Sequence, residues 1–480
     1  MMKNKKMKNK LIIFGILLLI SACVPKSLVL INKNENKYVP ERFNDARDST
    51  NTAKTVWKEY FTDPNLVGLI DTALRNNQEL NITLQEIEIS RNEIGARKGE
   101  YLPFVTLGGG AGLEKVSRYT SQGASDAATE IKPGISTPDI LPNTYFGAFA
   151  SWEVDIWHKL RNARKVAVAN YLGSVEGKNF LVTNIVAEIA NSYYELMALD
   201  NELDIIKKNI VVLTNALSII RQEKDAAKVT ELAVRRFEAE VYKTQSLQYD
   251  IQQKITVAEN KINFLVGRFP QHIQRNSERF NELMPNVVYT GTPAQLLENR
   301  PDIRQAELKL EATKLDVSVA RANFYPSLRL GGALGFRSYN PFFLANLPSS
   351  LMSSLAGDLA GPLINKNAII ARYKSANAKQ IQAVYDYEKT ILNAYNEVAN
   401  QLSNIDNLGK NYEMKNNQVQ ALTQSTAISL KLFKSARADY MEVLLTQRDV
   451  LESRMELIET RMKQMNVLVN TYRALGGGWN

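Results

Sequence analysis

The feature that most limits what this chain can fold into is the placement of its prolines. None lies between Pro142 and Pro270, and none follows Pro362. Proline interrupts helices, so these two spans are free to form very long ones. Both carry an apolar repeat with alternating steps of three and four. Leu196, Leu199, Leu203, Ile206, Ile210, Leu213, Leu217 and Ile220 follow it. So do Ile381, Val384, Ile391, Tyr395, Val398, Leu402 and Ile405, with Glu388 as the exception, and Met455, Ile458, Met462, Met465, Val469 and Tyr472. A sustained seven-residue repeat makes helices supercoil and pack knobs into holes. A helix from about Trp157 to Arg221 runs to roughly 100 Å at 1.5 Å per residue. No compact globular domain accommodates that length; it belongs to a rod or a tube.

The chain also repeats itself. EIGARKGEYLPFVTLGGGAGL (93–113) lies over DVSVARANFYPSLRLGGALGF (316–336), so that Tyr101 meets Phe324, Pro103 meets Pro326 and Leu107 meets Leu330. Further on, ALSIIRQEKDAAKVTEL (216–232) lies over AISLKLFKSARADYMEV (427–443). Each half reads as a helix, a Gly-rich apolar stretch and then long helices, the order expected of a duplicated unit.

The Gly-rich stretches switch to period two. Leu328, Leu330, Gly332, Leu334 and Phe336 fall on one face, against Ser327, Arg329, Gly331, Ala333, Gly335 and Arg337. Phe146, Ala148, Ala150, Trp152 and Val154 oppose Tyr145, Gly147, Phe149, Ser151 and Glu153. An apolar face set against a polar or small one is the pattern of an outer-membrane strand, although a soluble amphipathic strand shares it. Phe104–Glu114 and about Leu351–Gly361 supply two more strands. On this reading Phe146, Trp152, Leu328, Leu330, Leu334 and Phe336 face lipid. Arg329 and Arg337 face water, because a charge on the lipid face costs about 2–4 kcal/mol at mid-bilayer. Four strands are too few to close a membrane barrel, since the smallest bacterial ones have about eight. The barrel must therefore be shared between chains.

The N-terminus reads as an export signal. Five lysines in the first ten residues precede the apolar run Leu11–Ile20, which ends in Ile20-Ser21-Ala22-Cys23. The run is too short to span as a helix, and its end resembles a lipobox in which Cys23 is the lipid attachment residue. Those lysines supply five of the nine net positive charges, so the remainder gives little support to a nucleic-acid partner. Cys23 is the single cysteine, which excludes an internal disulfide, and two histidines, His158 and His272, do not make a multi-histidine metal site.

Several ordered motifs carry a family resemblance. They are Trp57 and Phe61 with Asp63-Pro64-Asn65-Leu66, Leu69-Ile70 and Ala73-Leu74; Arg300-Pro301-Asp302-Ile303 followed by Val319 to Leu328; and Ala474-Leu475-Gly476-Gly477-Gly478-Trp479. Nearly end to end after the signal, the chain resembles TolC-like outer-membrane efflux proteins, in the lipoprotein branch that serves resistance-nodulation-division pumps. The resemblance implies a mainly α protein with a membrane β-barrel. Each protomer contributes four β-strands and long helices, and a homotrimer closes a twelve-stranded barrel above an α-helical barrel in the periplasm. It implies a signal peptide at 1–22, an equatorial segment at 23–62, a first repeat at 63–267, an equatorial linker at 268–293, and a second repeat at 294–480 that includes a C-terminal equatorial segment. The partners implied are a periplasmic adaptor, an inner-membrane pump and outer-membrane lipid, without cofactor or nucleic acid. The location is the outer membrane of a Gram-negative bacterium.

No nucleophile elbow, phosphate loop or metal-ligand spacing is present, and Gly108-Gly109-Gly110 lacks the lysine and helix start of a phosphate loop. Glu153 and Asp155, two apart on a strand, share a face but have no acid/base partner. The chain is therefore not expected to be an enzyme. Chemistry is expected instead at the turns near Lys224–Thr230 and Ser435–Tyr440. By resemblance, these turns form the periplasmic tip where the channel closes and an adaptor docks. The matching candidates are Glu231, Arg437, Asp439, Tyr440 and Glu442, with Ala226-Ala227 and Ala436 where the family usually has glycine. Rings of these acids around a narrow axis would draw cations and disfavour anions. Two other readings stay open at this point. One is a duct for type I protein secretion or for metal cations; the other is a lipid-anchored coiled-coil scaffold without a pore.

Overall fold

The computed structural model describes residues 33–43, 50–282, 289–362, 364–435 and 437–479. Cys23 and the signal segment before it lie outside the described residues. The first half runs α1 (Trp57–Tyr60), α2 (Pro64–Asn76), α3 (Gln78–Glu100), β1 (Phe104–Glu114), α4 (Ser121–Ala128), β2 (Glu130–Lys132), β3 (Ile135–Ser136), β4 (Leu141–Val154), α5 (Lys159–Asp225) and α6 (Glu231–Leu265). The second runs α7 (Ala294–Asn299), α8 (Pro301–Ala322), β5 (Ser327–Ser338), β6 (Leu351–Ala360), α9 (Asn367–Lys434) and α10 (Tyr440–Ala474). The long helices match closely between halves, at 67 and 35 residues against 68 and 35.

Two local readings of the sequence are corrected. The first long helix starts at Lys159 rather than Trp157, and Asp155 is not a strand residue sharing a face with Glu153. The strand ends at Val154, and the Asp155 carboxylate accepts the backbone N–H groups of Leu160 (3.0 Å) and Arg161 (2.9 Å). A carboxylate placed there satisfies N–H donors that have no partner within the helix. The register of the repeat also shifts by two residues. In the ungapped sequence repeat Glu231 corresponds to Glu442, whereas the helix starts place it over Tyr440. The preceding helices also end two residues out of step with that match, at Asp225 and Lys434, so the two turns have the same length. The small elements between β1 and β4, α4 and the β2–β3 hairpin, are too short for any period to reveal them.

The chain forms two compact units. The first takes residues 88–172 and 308–384 with residues 33–34. Its main element is an antiparallel sheet in the order β1-β4-β5-β6, so the two halves contribute two strands each and meet at β4–β5. Phe324 and Tyr373 pack edge to face at 5.6 Å in a small cluster with Ala320.

The second unit takes residues 35–87, 173–307 and 385–479. Its core is the expected heptad seam. Leu196, Leu199 and Ile206 of α5 are buried with Ile251 and Ile262 of α6 and with Ile458, Met465, Val469 and Tyr472 of α10. Leu213, Leu217 and Ile220 continue the seam against Val234, Phe237 and Val241 of α6 and Leu444 of α10. Each fully buried aliphatic side chain of this kind contributes about 2 kcal/mol. Leu66, Ile70 and Ala73 of α2 close the core, where Asp63 caps the helix by accepting the Asn65 N–H at 2.8 Å and Pro64 fills the first turn. The exception in the heptads has a use: Glu388 accepts the backbone N–H of Asn36 at 3.0 Å. Beside it Lys37 reaches Glu307 at 2.6 Å, and Phe43 stacks on Tyr395 at 5.2 Å between centroids. The N-terminal segment is thus tied down where the apolar repeat breaks.

In each half one residue separates the two entry helices, Asn77 in the first and Arg300 in the second. Asn77 Nδ2 donates to the carbonyl of Leu265, the last residue of α6, at 2.8 Å. Arg300 Nη1 donates to the carbonyl of Ala474, the last residue of α10, at 2.7 Å. A Schellman-type cap follows each long helix, with Gly267 at φ 75° and Gly476 at φ 92°. A Cβ on Gly267 would lie 2.4 Å from the Asn76 carbonyl oxygen, and one on Gly476 2.6 Å from that of Asn299. The glycine-rich C-terminal motif is therefore a latch as well as a helix end.

Candidate functional site: a two-faced sheet and two helix turns

In the first unit, register decides which side chains share a face. Phe146 sits opposite Phe336, Ala148 opposite Leu334, Trp152 opposite Leu330 and Val154 opposite Leu328. On the flanks, Leu334 meets Ser353, Gly332 meets Leu355 and Leu328 meets Leu359, while Ala148 meets Leu107. All six residues expected to face lipid, Phe146, Trp152, Leu328, Leu330, Leu334 and Phe336, therefore lie on one face. That face is open along its length: Leu107, Phe146, Leu334 and Leu355 are each more than half exposed. An uncovered apolar surface of this extent is not tolerated by water and marks an interaction surface.

The opposite face carries the charges. Glu153, Arg329 and Asp358 form a row across β4, β5 and β6. Glu153 Oε1 accepts from Lys159, and its other oxygen lies 4.0 Å from Arg329 Nε. At the far end Arg337 Nε donates to Asn143 Oδ1 at 2.8 Å. Between these ends Gly147 faces Gly335, and a Cβ on Gly335 would stand 2.5 Å from the Gly147 Cα. Close strand approach is why both positions are glycine. Glu153 and Asp155 are thus a salt-bridge member and a helix cap.

In the second unit, α5 ends in a Schellman motif. The N–H of Lys228 donates to Glu223 and that of Ala227 to Lys224, both at 2.9 Å. Ala227 holds φ 58°, a left-handed conformation that costs a non-glycine residue about 1–2 kcal/mol. Glu231 then opens α6, 2.9 Å from Arg235 Nε and 3.4 Å from Lys224 Nζ. At the second turn, Arg437 donates its N–H to Leu432 at 2.9 Å, and Asp439 occupies the N-cap of α10 without a side-chain capping bond. The two turns lie side by side: Arg236 Nη1 is 3.4 Å from Met441 Sδ, and Tyr440 packs against the cluster that holds Leu213 and Phe237. Of the five tip candidates, Glu231, Arg437, Asp439 and Glu442 are exposed, while Tyr440 is half-buried.

One acidic residue here escaped the sequence reading. A groove of about 1020 Å³ between α5, α6 and α10 is lined by Glu195, Glu202, Asp250, Lys254, Glu452 and Glu459. Burial pushes the Glu202 carboxyl up to about 7; Lys254 opposes the shift and Glu459 adds to it. Nothing at this position distinguishes it in sequence from the solvated acids nearby. Elsewhere in the unit, Arg275 is clamped by Asp200 and Glu259 at 2.5 Å each, and burial works against charge–charge stabilisation in setting its basicity.

Comparison with known proteins adds an independent line. The family model described as outer membrane efflux protein matches residues 69–268 and 292–477. A solvent efflux pump outer membrane protein of Pseudomonas putida, SrpC, is 28% identical over 433 residues, covering 89% of this chain and 88% of its own. A probable outer membrane lipoprotein of Salmonella typhimurium, SilC, is 24% identical over 481 residues, covering 98% and 99%. A crystal structure of a membrane protein from Pseudomonas aeruginosa superposes with a TM-score of 0.84 at 23% identity, covering 93% of this chain and 99% of that one.

Proposed function

The chain belongs to the outer membrane efflux protein family, and from that premise we propose that it is one protomer of a homotrimeric exit duct that docks a periplasmic adaptor and an inner-membrane resistance-nodulation-division pump. The observation that carries the reading is the four-stranded sheet with one apolar, exposed face and one charged face. β1 and β6 are its two edges, and edges left open in a bilayer are not tolerated, so neighbouring copies close them into one barrel. A scaffold of coiled coils alone has no use for such a sheet. The duct is lipid-anchored through Cys23 after removal of residues 1–22. The two repeats span 63–267 and 294–480, and the segments 23–62 and 268–293 belong to an equatorial girdle. It performs no catalysis of its own. Its cargo is drugs or other small toxic compounds, and the name of the relative SrpC, a solvent efflux pump outer membrane protein, supports that class.

The tip turns control passage. Phe146, Trp152, Leu328, Leu330, Leu334 and Phe336 meet lipid, while Glu231, Arg437, Asp439, Tyr440 and Glu442 form the entrance. Its acids, repeated around an axis, favour cations. Glu231 is already offset by Lys224 and Arg235 of its own chain, which leaves Asp439 and Glu442 as the larger contributors. In planar bilayers, Glu231→Ala with Glu442→Ala is expected to raise single-channel conductance and weaken cation block. Unchanged conductance and selectivity would remove both residues from the gate.

A further inference from the structure

Where the sheet of the first unit meets its helices, a pocket of about 340 Å³ opens between the start of β1 and the end of β4. Its walls are apolar: Leu102, Trp152, Val154 and Ile156 line it, and Leu102 and Ile156 are exposed. Trp152 and Val154 belong to the apolar face, opposite Leu330 and Leu328, so the pocket is continuous with that surface. The indole of Trp152 is fixed by its N–H donating to the Tyr101 carbonyl at 2.9 Å, which holds the ring as a wall. The helix-side rim is polar, formed by the Arg161 guanidinium and the His158 imidazole. Asp155 also lines the rim, but its oxygens are occupied by the two N–H groups that start α5, with Arg161 Nε 3.7 Å away. The Arg161 side chain is about half exposed.

An apolar wall ending in an arginine, at the boundary of a lipid-facing surface, matches one kind of occupant. We propose that this pocket holds the phosphate-bearing head of a glycerophospholipid from the surrounding membrane, with Arg161 and His158 at the phosphate and the acyl chains running along Trp152 and Val154. The proposal rests on reading the sheet as a membrane-spanning surface. Basic side chains placed at headgroup level recognise lipid phosphate in this way, and the aromatic and aliphatic wall supplies the acyl contact. The pocket is too small for a whole lipid. It takes the glycerol-phosphate end, and the open apolar face takes the rest.

The test uses the full-length protein in detergent, incubated with palmitoyl-oleoyl phosphatidylglycerol and weighed intact by native mass spectrometry. Wild type is expected to retain the phospholipid, Arg161→Gln to retain about fivefold less, and Arg161→Lys to recover most of the loss. Palmitoyl-oleoyl diacylglycerol, which lacks the phosphate, should be retained poorly, and excess inorganic phosphate should not displace the lipid. Equal retention by Arg161→Gln, or of diacylglycerol, overturns the proposal; displacement by free phosphate does so in favour of a simple anion site. Should Arg161→Gln fail to fold, brominated phosphatidylglycerol provides the second reading on otherwise native protein. It must quench an emission that Trp152→Phe removes, and absence of that quenching overturns the proposal. Flotation with liposomes separates the two layers of the argument. A wild-type chain that does not float defeats the channel reading, whereas one that floats but retains lipid independently of Arg161 defeats only this inference.

Discussion

The two halves of the second unit solve one problem with different chemistry. In each, the residue between the entry helices binds the last carbonyl of that half's final helix, and a left-handed glycine packs against the residue before it. The first half uses a neutral amide: Asn77 also accepts the Leu80 N–H at 2.9 Å, so a single side chain caps one helix and latches another. The second half uses a buried guanidinium. Arg300 is paired with Asp302 at 2.8 Å and Glu397 at 2.9 Å, and Glu397 in turn holds Arg473. The geometry of the duplicated unit has persisted while the electrostatics have diverged. Ionic latches cost more to break than to replace, because removing the cation leaves Asp302, a largely buried carboxylate, without its partner.

That contrast is open to direct attack. Arg300→Ala is expected to destabilise the chain by about 3–5 kcal/mol, since Asp302 loses its cation and the Ala474 carbonyl its donor. Asn77→Ala should cost less, about 1–3 kcal/mol. Thermal unfolding of the detergent-solubilised variants ranks them, and equal losses would erase the distinction drawn between the halves. The glycines should behave alike whichever latch they serve. Gly267→Ala and Gly476→Ala each force a methyl into a carbonyl at positive φ, for about 2 kcal/mol.

A smaller effect separates the helical groove from the latches. The Glu202 carboxyl is raised from 4.5 to about 7 in the folded chain, so the folded state binds the extra proton between those values. Stability therefore falls as pH rises through that window and is lowest above it, by about 1–2 kcal/mol after allowing for partial solvation. Glu202→Gln should flatten that slope and stabilise the protein at pH 8, as read from melting curves across pH; an unchanged slope would place the titration elsewhere. The smallest effect belongs to the first tip turn. Ala227→Gly relieves a left-handed alanine and should stabilise by about 1 kcal/mol, read as a small upward shift in melting temperature. A loss instead would mean that the methyl makes a contact worth more than the strain.

Much of this architecture could be read from residues alone. Alternation put Phe146, Trp152 and Leu334 on one face because a strand's side chains have period two, and the register places them there. The heptads gave the buried seam because helices of this length cannot hide an apolar stripe except against one another. What stayed hidden depends on contacts distant in sequence. Arg300 stood out within a motif, yet its partners Glu397 and Ala474 lie 97 and 174 residues away. Glu202 differs from its neighbours only through the helices that bury it. The two-residue offset at the tip is set by where the backbone leaves and re-enters the helix, which no residue type in these turns marks, since neither Thr230 nor Asp439 makes a side-chain capping bond.

The central claim is that one chain supplies only part of a barrel. Its most direct test is the intact mass of the detergent-solubilised particle that conducts in planar bilayers. Three copies per conducting particle are expected, with no conductance from the fraction that dissociates to single chains. A conducting monomer would contradict it, because four strands with two open edges could not then be what crosses the membrane.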